Sequence, residues 1–318
     1  MNKIRILVAN APEEVGGVSC WRMFWPLTHL QQVHGDTLDI RYSRGVIYPF
    51  EFYQTDILIC YRPSKPEHLQ VIEEARRFGI KVVVDYDDDH KNIPVGHPAF
   101  WSLGRSWPIA EAALKLANLV WVSTPALAAL YGHRNTVVVP NAVPAGMVAD
   151  LPQDFEAATG IWAGSDAHRE DADTFSDVYK TMLRYLKKFV WVNFMPTWAA
   201  EAKPVGAKIN LHPWVHTEDW FDWLRGMQTT VVWKPLRSTP FNDGKSNIAW
   251  ISATIVGAVC VSTYAGKPGW EFATREMPRN KKAFVELWER SADELRRRYN
   301  LDDANESRFV SMLKLVNQ

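Results

Sequence analysis

The sequence predicts an α/β fold with two parallel sheets, on the basis of three observations. Short β-branched runs alternate with longer helical patterns through the first half, which is typical of a parallel sheet with crossover helices. The alternation begins again in the second half. Between the halves, PNAVPAGMVADLPQDF carries three prolines and little periodicity, which indicates a boundary. We therefore expect two Rossmann-like domains, residues 1–145 and 146–318, that face a central cleft.

Each predicted element is a run of one periodicity bounded by turn residues. In the first half we expect, in order, strand IRILVAN, a turn, a helix over 20–33, strands LDIRYS and DILICYR, a helix over 66–78, strand KVVVDYD, a helix over 108–117, strand LVWVST, helix PALAALYG and strand TVVVPNAV. In the second half we expect strand GIWAGS, a helix over 174–189, strand VWVNFM, a Trp-rich segment and strand TTVVWKPL. The charged tail from residue 280 onward is predicted as helix, packed on one domain with a solvated face.

The composition excludes several classes of protein. Lys and Arg together number 36, as do Asp and Glu, so no overall field draws the chain to nucleic acid or acidic membranes. The first apolar run is too short for a signal peptide, and no window approaches the length of a membrane span. Cys20, Cys60 and Cys260 lack the spacing of a metal site or disulfide framework, which suits a reducing compartment. We expect a soluble, cytoplasmic protein.

The polar turn PFNDGKSN precedes a helix-like segment that runs to Gly257. Gly244, Lys245 and Ser246 are predicted at the start of this helix, where backbone N–H groups are free. A helix start with a lysine beside it is suited to bind an anion. The segment does not fit a P-loop, because the first glycine of that motif would fall on Thr239.

Four longer stretches carry a resemblance to a known family. The first half begins with IRILVANAPEEVGGVSCWR and ends with LANLVWVSTPALAALYGHRNTVVVPNAV, and the second half contains GIWAGSDAHREDADTF followed by PLRSTPFNDGKSNIAWISATIVGAVCVST. In this order they resemble the GT-B glycosyltransferases, particularly the retaining glycosyl transferases group 1 family, over most of the chain. The resemblance implies an acceptor-side N-terminal domain and a donor-binding C-terminal domain, and it implies that the anion is the phosphate part of an activated sugar.

The resemblance also implies a set of donor-binding residues. Lys245 and Ser246 would hold the phosphates with the helix start, and Lys245 would neutralise the charge that develops on the leaving phosphate. Ser252 stands about where a family glutamate holds the donor's hydroxyls, and Phe241 stands near the place of an earlier glutamate, so the donor site departs from the family there. The remaining implied donor-binding positions are Gly164, Ser165, His168, Asn242 and Gly244.

The acidic run DYDDDH follows a strong predicted strand. Its Asp-x-Asp spacing is that of a metal and sugar-nucleotide site in the other large glycosyltransferase fold, GT-A. In a GT-B protein the run would instead line the acceptor side, where Asp87 and Asp88 would orient the acceptor or transfer a proton, beside Asp89 and His90. Repulsion between these carboxylates is expected to raise an apparent pKa. No metal site is expected, because His90 and His97 complete no recognised ligand set.

Gly16 and Gly17 lie between the first strand and the first helix, where the backbone turns or approaches a ligand on the acceptor side. They complete no G-x-G-x-x-G motif, so a dinucleotide cofactor is not indicated.

We expect a metal-independent glycosyltransferase that moves a sugar, with retention, from a phosphate-activated and by default nucleotide-linked donor to a hydroxyl acceptor. The donor is a substrate, and no cofactor is expected. The acceptor stays open among a glycan, a small glycoside and a hydroxylated base in DNA. Two alternatives stay open as well: a metal-dependent GT-A enzyme that uses the Asp run, and a sugar- or nucleotide-binding protein without turnover. A DNA acceptor would require local basic surface. The sequence offers a modest basic cluster for this purpose, formed by Arg275, Arg279, Lys281 and Lys282.

Overall fold

A computed structural model of the chain describes residues 3–9, 17–43, 45–202 and 207–317. Its strands form two parallel sheets, one of six strands and one of five, which confirms the predicted fold class. The strands are β1 (Ile4–Ala9), β2 (Leu38–Tyr42), β3 (Ile57–Tyr61), β4 (Lys81–Tyr86), β5 (Leu119–Val122), β6 (Thr136–Val138), β7 (Thr159–Ala163), β8 (Lys188–Val192), β9 (Lys208–His212), β10 (Thr229–Lys234) and β11 (Val259–Ser262).

The helices connect these strands. A π-helical turn (Cys20–Phe24) leads directly into the first α-helix, so that together they fill the range predicted as one helix. None of the described helices is both long and apolar enough to cross a membrane. The α-helices are α1 (Trp25–Val33), α2 (Pro49–Phe52), α3 (Pro66–Arg77), α4 (Trp107–Leu116), α5 (Pro125–Tyr131), α6 (Arg169–Thr174), α7 (Ser176–Met182), α8 (Thr197–Glu201), α9 (Trp220–Gly226), α10 (Pro240–Asp243), α11 (Ile248–Ile255), α12 (Lys281–Arg298) and α13 (Leu301–Val316).

The chain divides into two compact units. The first comprises Met1–Val143, Pro240–Ser246 and Leu301–Gln318, and the second comprises Pro144–Thr239 and Asn247–Asn300. This grouping differs from the predicted division into 1–145 and 146–318 at three places, since 144–145 belong to the second unit and 240–246 and 301–318 belong to the first. The reason at the C-terminus is apolar burial, because α13 contributes Met312 and Leu315 to the core of the first sheet.

The first sheet has the strand order β2-β1-β3-β4-β5-β6. Both of its faces are covered, as a parallel sheet requires. Successive side chains of a strand point to opposite faces. Accordingly, Ile57 and Ile59 of β3 pack with the core that α1 and α13 complete, whereas Leu58 and Cys60 pack with the core that includes residues of α3, α4 and α5.

The second sheet has the order β11-β10-β7-β8-β9 and an aromatic core. Trp191 is fully buried, with its ring 5.3 Å from that of Tyr179 and 5.9 Å from that of Trp233. The indole N–H of Trp191 donates to the Tyr179 hydroxyl over 3.2 Å, so the buried polar atoms of this pair are satisfied. Several of the tryptophans thus serve packing.

Two predictions of secondary structure in the second unit are wrong. The helix expected over 174–189 is shorter and broken, because α7 ends at Met182 and β8 begins at Lys188, where it pairs with β7. The Trp-rich segment contains an unpredicted strand, β9, at the edge of the sheet. As an edge strand it is largely exposed and lacks the continuous apolar run by which buried strands are recognised.

Candidate active site

A buried ion pair stands at the carboxyl end of β4. Asp85 is fully buried, and Arg22 of the π-helical turn binds both of its carboxylate oxygens, with Nη2–Oδ2 and Nε–Oδ1 distances of 2.6 and 3.0 Å. Arg22 also donates to Asn141 Oδ1 over 3.3 Å. Because neither side chain reaches solvent, this bidentate pair fixes the first helix to the strand end.

Asp87 and Asp88 follow directly and are held by two cations. Arg62, the residue after β3, pairs with Asp87 and lies 3.5 Å from Asp88. The ammonium of Lys245 lies 2.6 Å from the other carboxylate oxygen of Asp88. The predicted catalytic residues Asp87, Asp88 and Lys245 therefore lie together, although Lys245 was expected on the donor side and the acids on the acceptor side.

The expected rise in pKa from carboxylate repulsion is wrong for Asp88. Burial alone would raise the pKa of Asp88, but Lys245 and Arg62 outweigh it and lower the pKa to about 2. The two cations reverse the direction of the pKa shift because their attraction for the Asp88 carboxylate exceeds its repulsion by the neighbouring acids. Asp88 is therefore an ionised hydrogen-bond acceptor at neutral pH.

Asp89, which was predicted on the acceptor side, also has a structural role in the turn that follows it. Its carboxylate accepts hydrogen bonds from the backbone N–H of Lys91 and of Asn92, each over 2.9 Å, and from Asn92 Nδ2 over 2.7 Å. These bonds close a tight turn after the acidic run. Burial raises the pKa of Asp89.

His90 is fully buried, and neither ring nitrogen has a hydrogen-bond partner within the described part of the chain. Its ring packs edge-on against Tyr86 with centroids 5.4 Å apart. Burial lowers the pKa of His90 to about 4, so the imidazole is neutral at neutral pH. Together, Asp85, Asp87, Asp88, Asp89 and the cations Arg22, Arg62 and Lys245 form what we call the acidic cluster.

The segment 240–246 reaches the acidic cluster through several contacts. Thr124 donates to the carbonyl of Gly244 over 3.3 Å, and Asn141 donates to the Ser246 hydroxyl over 2.9 Å. A Cβ on Gly244 would lie 2.9 Å from a Leu127 methyl, so glycine allows this close approach. Asn242 is buried in α10.

The expected helix start at Gly244, Lys245 and Ser246 is wrong. Helix α11 begins at Ile248 with Asn247 as its N-cap, so these three residues form the turn between α10 and α11. Lys245 is held instead by the Asp88 carboxylate and by the Phe241 ring, whose centroid lies 4.2 Å from the ammonium.

Three further predicted positions lie in α11 and in the segment before the π-helical turn. Ser252 lies in α11 with 3% of its surface exposed, so its role in donor binding stays a prediction. Gly17 has a left-handed backbone with φ of 54°, three residues before the π-helical turn begins, and this conformation favours glycine. Gly16 lies outside the described residues.

In the second unit, polar side chains meet where the strand order reverses. Chain order runs outward from β7 through β8 to β9, then returns to β10 and β11 on the other side of β7. His168, five residues after β7, lies with Nδ1 3.2 Å from Asp171 and Nε2 3.4 Å from the ammonium of Lys234, the last residue of β10. Since the carboxylate only accepts, Nδ1 carries the proton and Nε2 accepts from Lys234.

Arg237 completes this group, which we call the switch-point cluster (His168, Asp171, Lys234 and Arg237). Its backbone N–H donates to Asp171 Oδ1 over 3.0 Å, and its guanidinium pairs with Glu170. Asp171 thus orients both the histidine ring and the loop after β10. The arrangement places two cations at the carboxyl end of β10, beside the histidine that follows β7.

Gly164 and Ser165 form the backbone between β7 and His168. A Cβ on Gly164 would lie 2.8 Å from the Trp162 ring and 3.3 Å from the His168 ring, so a side chain there would displace the imidazole. Ser165 precedes the short 3₁₀ turn Asp166–His168, and its side chain makes no capping hydrogen bond to it.

Three functional candidates were not predicted from the sequence: Arg62, Lys234 and Arg237. Lys234 lies near the end of the predicted strand TTVVWKPL, and Arg237 directly follows that strand. Strand β10 borders the point where the strand order reverses. Basic residues at the end of such a strand are the sequence signal that would have identified Lys234 and Arg237. Arg62 offered no comparable signal, since it follows its strand alone.

Within residues 3–9, 17–43, 45–202 and 207–317, no group of three or more His, Cys, Asp or Glu side chains is placed to hold an ion.

No family model matches the sequence, and no curated protein matches it in sequence. Solved structures match it in fold. A glycosyltransferase from Rickettsia africae ESF-5 gives a TM-score of 0.64 at 11% identity over 99% of each chain. Alr3699/HepE from Anabaena, in complex with UDP and glucose, gives 0.63 at 10% identity over 98% of this chain and 99% of that one. An alpha-glucosyltransferase in complex with UDP and a 13-mer DNA containing an HMU base gives 0.56 at 10% identity over the whole of both chains.

The chain has the GT-B fold. At such low identities the likeness concerns the fold alone, and arguments about chemistry rest on the side chains described above. In this GT-B chain those side chains are concentrated at the carboxyl ends of both sheets, where open parallel sheets bind ligands.

Proposed function

We propose that the chain is a glycosyltransferase that moves a sugar from a nucleotide-sugar donor to a hydroxyl group of an acceptor, with retention at the anomeric carbon. The observation that carries the proposal is the line of contacts from Asp171 through His168 to Lys234 at the reversal of strand order. A lysine that is held at this point by a neutral imidazole suits the diphosphate of a nucleotide sugar.

The solved proteins of the same fold support this choice of donor. Two of those described above were solved with UDP, one of them together with glucose. UDP-glucose is therefore the first donor to test, and other nucleoside diphosphate sugars follow.

Lys234 and Arg237 have a clear electrostatic task in such a reaction. Negative charge develops on the diphosphate as it leaves the sugar, and cations already fixed in place stabilise that charge without reorganising. Asp171 fixes both, through His168 for Lys234 and through a backbone hydrogen bond for Arg237. No covalent intermediate on the protein is required.

Asp88 is suited to orient the acceptor hydroxyl rather than to remove the proton of that hydroxyl. A general base works best with a pKa near the working pH, whereas the pKa of Asp88 is about 2. An ionised carboxylate can still accept a hydrogen bond from an acceptor hydroxyl and hold it. The Lys245 ammonium has three N–H donors, so it can contact a phosphate oxygen while it keeps the Asp88 carboxylate as a partner.

We place the reaction in the cytoplasm. No disulfide joins Cys20, Cys60 and Cys260, and all three thiols are buried, which supports a reducing compartment. The acceptor class includes glycans, small glycosides and hydroxylated DNA bases.

A donor screen by mass spectrometry tests the proposal. UDP-, ADP- and GDP-linked sugars are each incubated with a mixed panel of glycans, small glycosides and a DNA oligomer containing hydroxymethyluracil, with and without EDTA. We expect one donor to give a transferred-sugar product in both conditions. A requirement for manganese or magnesium would favour the metal-dependent alternative, and nucleotide binding without any product would favour a binding protein.

Lys234→Ala then tests the observation that carries the proposal. We expect turnover to fall by about 10²-fold, as for loss of one preorganised charged group. Lys208→Ala is the matched control, because Lys208 is exposed at the opposite, amino end of a strand in the same sheet. Equal activity of the two variants would contradict the assignment of the switch-point cluster.

A further inference from the structure

Strand β9 is an edge of the second sheet, where it pairs with β8 on one side. The backbone N–H of Lys208 donates to the carbonyl of Lys187 over 2.9 Å, so the backbone groups of Lys208 point towards β8. Backbone groups of successive residues in a strand point to opposite sides. Those of Ile209 and Leu211 therefore point away from the sheet, and within the described part of the chain no hydrogen bond engages them.

Two other edge strands, β2 and β11, have outward backbone groups that the chain itself covers. Beside β2, the Gln31 side chain accepts from the N–H of Ile40 over 2.8 Å and donates to the carbonyl of Leu38 over 3.1 Å. Beside β11, Thr274 forms an isolated bridge to Val261, with backbone hydrogen bonds of 2.8 and 2.9 Å to the strand. An edge without such a cover is a template for pairing with another strand.

The side chains of β9 leave this edge open to a partner. Leu211 is 54% exposed, and Trp214, just beyond the strand, is 51% exposed. Edge strands are commonly protected by prolines, bulges or central charges. The five residues of β9 include no proline, their register with β8 is continuous, and the single lysine, Lys208, is the first residue rather than a central one.

The sequence of β9 is complementary to itself in antiparallel orientation. With a two-fold axis beside Asn210, Ile209 of one copy lies opposite Leu211 of the other, and symmetry repeats the pair. Two such residues exchange both N–H···O bonds, so their outward backbone groups are satisfied. The pairing also sets apolar side chains against each other. Lys208 lies opposite His212, so the two Lys208 ammonium groups do not face each other.

We propose that the protein self-associates through β9, which pairs antiparallel with β9 of a second copy about a two-fold axis at Asn210. The two five-stranded sheets then form one continuous sheet. The inference goes beyond the proposed function and does not depend on it. Because β9 has only five residues, the buried area is small, and we expect a weak dimer with a Kd on the order of 1–100 μM.

A disulfide across the axis tests the register. Asn210 faces its own counterpart in a pair without hydrogen bonds, where the Cα atoms are about 4.5 Å apart, and disulfides join Cα atoms about 4.4–6.8 Å apart. Asn210→Cys should therefore form a covalent dimer when copper–phenanthroline is the oxidant. Lys208→Cys is the matched control, because it is exposed on the same strand but its two copies lie more than about 13 Å apart.

Non-reducing electrophoresis measures the covalent dimer. We expect it to form at least about tenfold faster in Asn210→Cys than in Lys208→Cys, since only the first pair is within reach of a disulfide. The three native cysteines are buried and should form no link between chains. Equal rates in the two variants would contradict the register, because random collision would then account for both.

Sedimentation velocity from about 1 to about 100 μM tests the association without a covalent link. Leu211→Lys puts two like charges on the paired face and should weaken association by at least about tenfold. Leu151→Lys is the matched control, because Leu151 is 77% exposed and its carbonyl lies against Gly257, just before β11 at the opposite edge of the sheet. Circular dichroism should show the wild-type fold in both variants, since both leucines are exposed.

Two results would overturn the inference. The first is a wild-type protein that stays monomeric up to about 100 μM, which would leave the β9 edge to a strand of a different protein. The second is a dimer that Leu211→Lys and Leu151→Lys affect equally, which would place the interface on another surface.

Discussion

The acidic cluster and the switch-point cluster occupy corresponding places, each at the carboxyl end of central strands in its own sheet, but they hold their charges differently. In the acidic cluster, Arg22, Arg62 and Lys245 each contact a carboxylate directly. In the switch-point cluster, Arg237 also pairs directly with a carboxylate, that of Glu170, but the imidazole of His168 stands between the Asp171 carboxylate and the Lys234 ammonium. Direct pairing of buried charges favours a rigid arrangement of the side chains. A cation that contacts an uncharged ring instead has more of its electrostatic field available to attract an anionic ligand.

The largest effect should come from breaking the buried pair of the acidic cluster. Arg22→Met leaves Asp85 fully buried without its cation, which costs about 3–5 kcal/mol of the free energy of unfolding. Urea denaturation followed by circular dichroism measures it. Arg5→Met is the control, because the Arg5–Asp56 pair is partly exposed, at 42% and 33%, and should contribute less than about 1 kcal/mol. Equal losses in the two variants would mean that burial does not distinguish the pairs.

Lys245→Ala tests whether a lysine of the acidic cluster also serves chemistry. We expect turnover to fall by about 10²-fold, because one preorganised cation is lost from the reacting phosphate. The circular dichroism spectrum should stay that of the wild type, since Asp88 keeps Arg62 nearby. Unchanged turnover would assign Lys245 to structure alone and leave catalysis to the switch-point cluster.

The same variant tests the electrostatics of Asp88 through pH. The folded protein holds the pKa of Asp88 at about 2, below its ordinary value of 3.8. Because the pKa of Asp88 is lower in the folded chain than in the unfolded chain, ionised Asp88 stabilises the fold at pH values above about 4. This contribution to the free energy of unfolding is lost as the pH falls from about 4 to about 2. The difference in unfolding free energy between wild type and Lys245→Ala should therefore shrink by up to about 2 kcal/mol over this window. A difference that is constant with pH would contradict the Lys245–Asp88 pair.

The smallest effect is expected at Ser246, which was predicted to bind donor phosphate. In the structure its hydroxyl accepts from Asn141. Ser246→Ala should cost about 1 kcal/mol of unfolding free energy, and we expect UDP affinity to stay within about threefold of the wild type. A much larger loss of UDP affinity, measured by calorimetry, would return Ser246 to the donor site.

The architecture could be predicted because the information for it is local. Runs such as KVVVDYD and LVWVST carry their own strand signal, and their alternation with helices implies a parallel sheet. Strand β9 and the start of β8 could not be predicted, because pairing with neighbouring strands, rather than a periodic apolar pattern, decides them. Element boundaries depend on such tertiary pairing.

The candidate site was predicted residue by residue but not in its contacts. Asp87, Asp88, His168 and Lys245 were singled out from the sequence, yet Lys245 and Asp88 are 157 positions apart and their pairing has no local signature. The lowered pKa of Asp88 follows from that contact together with the nearby Arg62 guanidinium. Arg62 was missed because its significance lies in its partners.

The return of α13 to the first sheet has a consequence for biosynthesis. Residues near the end of the chain, Met312 and Leu315, complete a core that begins with Ile6 and Val8 of β1. A ribosome releases the chain from its N-terminus, so the part of this face that α13 covers stays exposed until α13 has emerged. The second unit, whose segments end at Asn300, has by then left the ribosome entirely. We therefore expect ribosome-bound chains that stop at residue 300 to expose the apolar face that α13 covers, and to depend on chaperones for that interval.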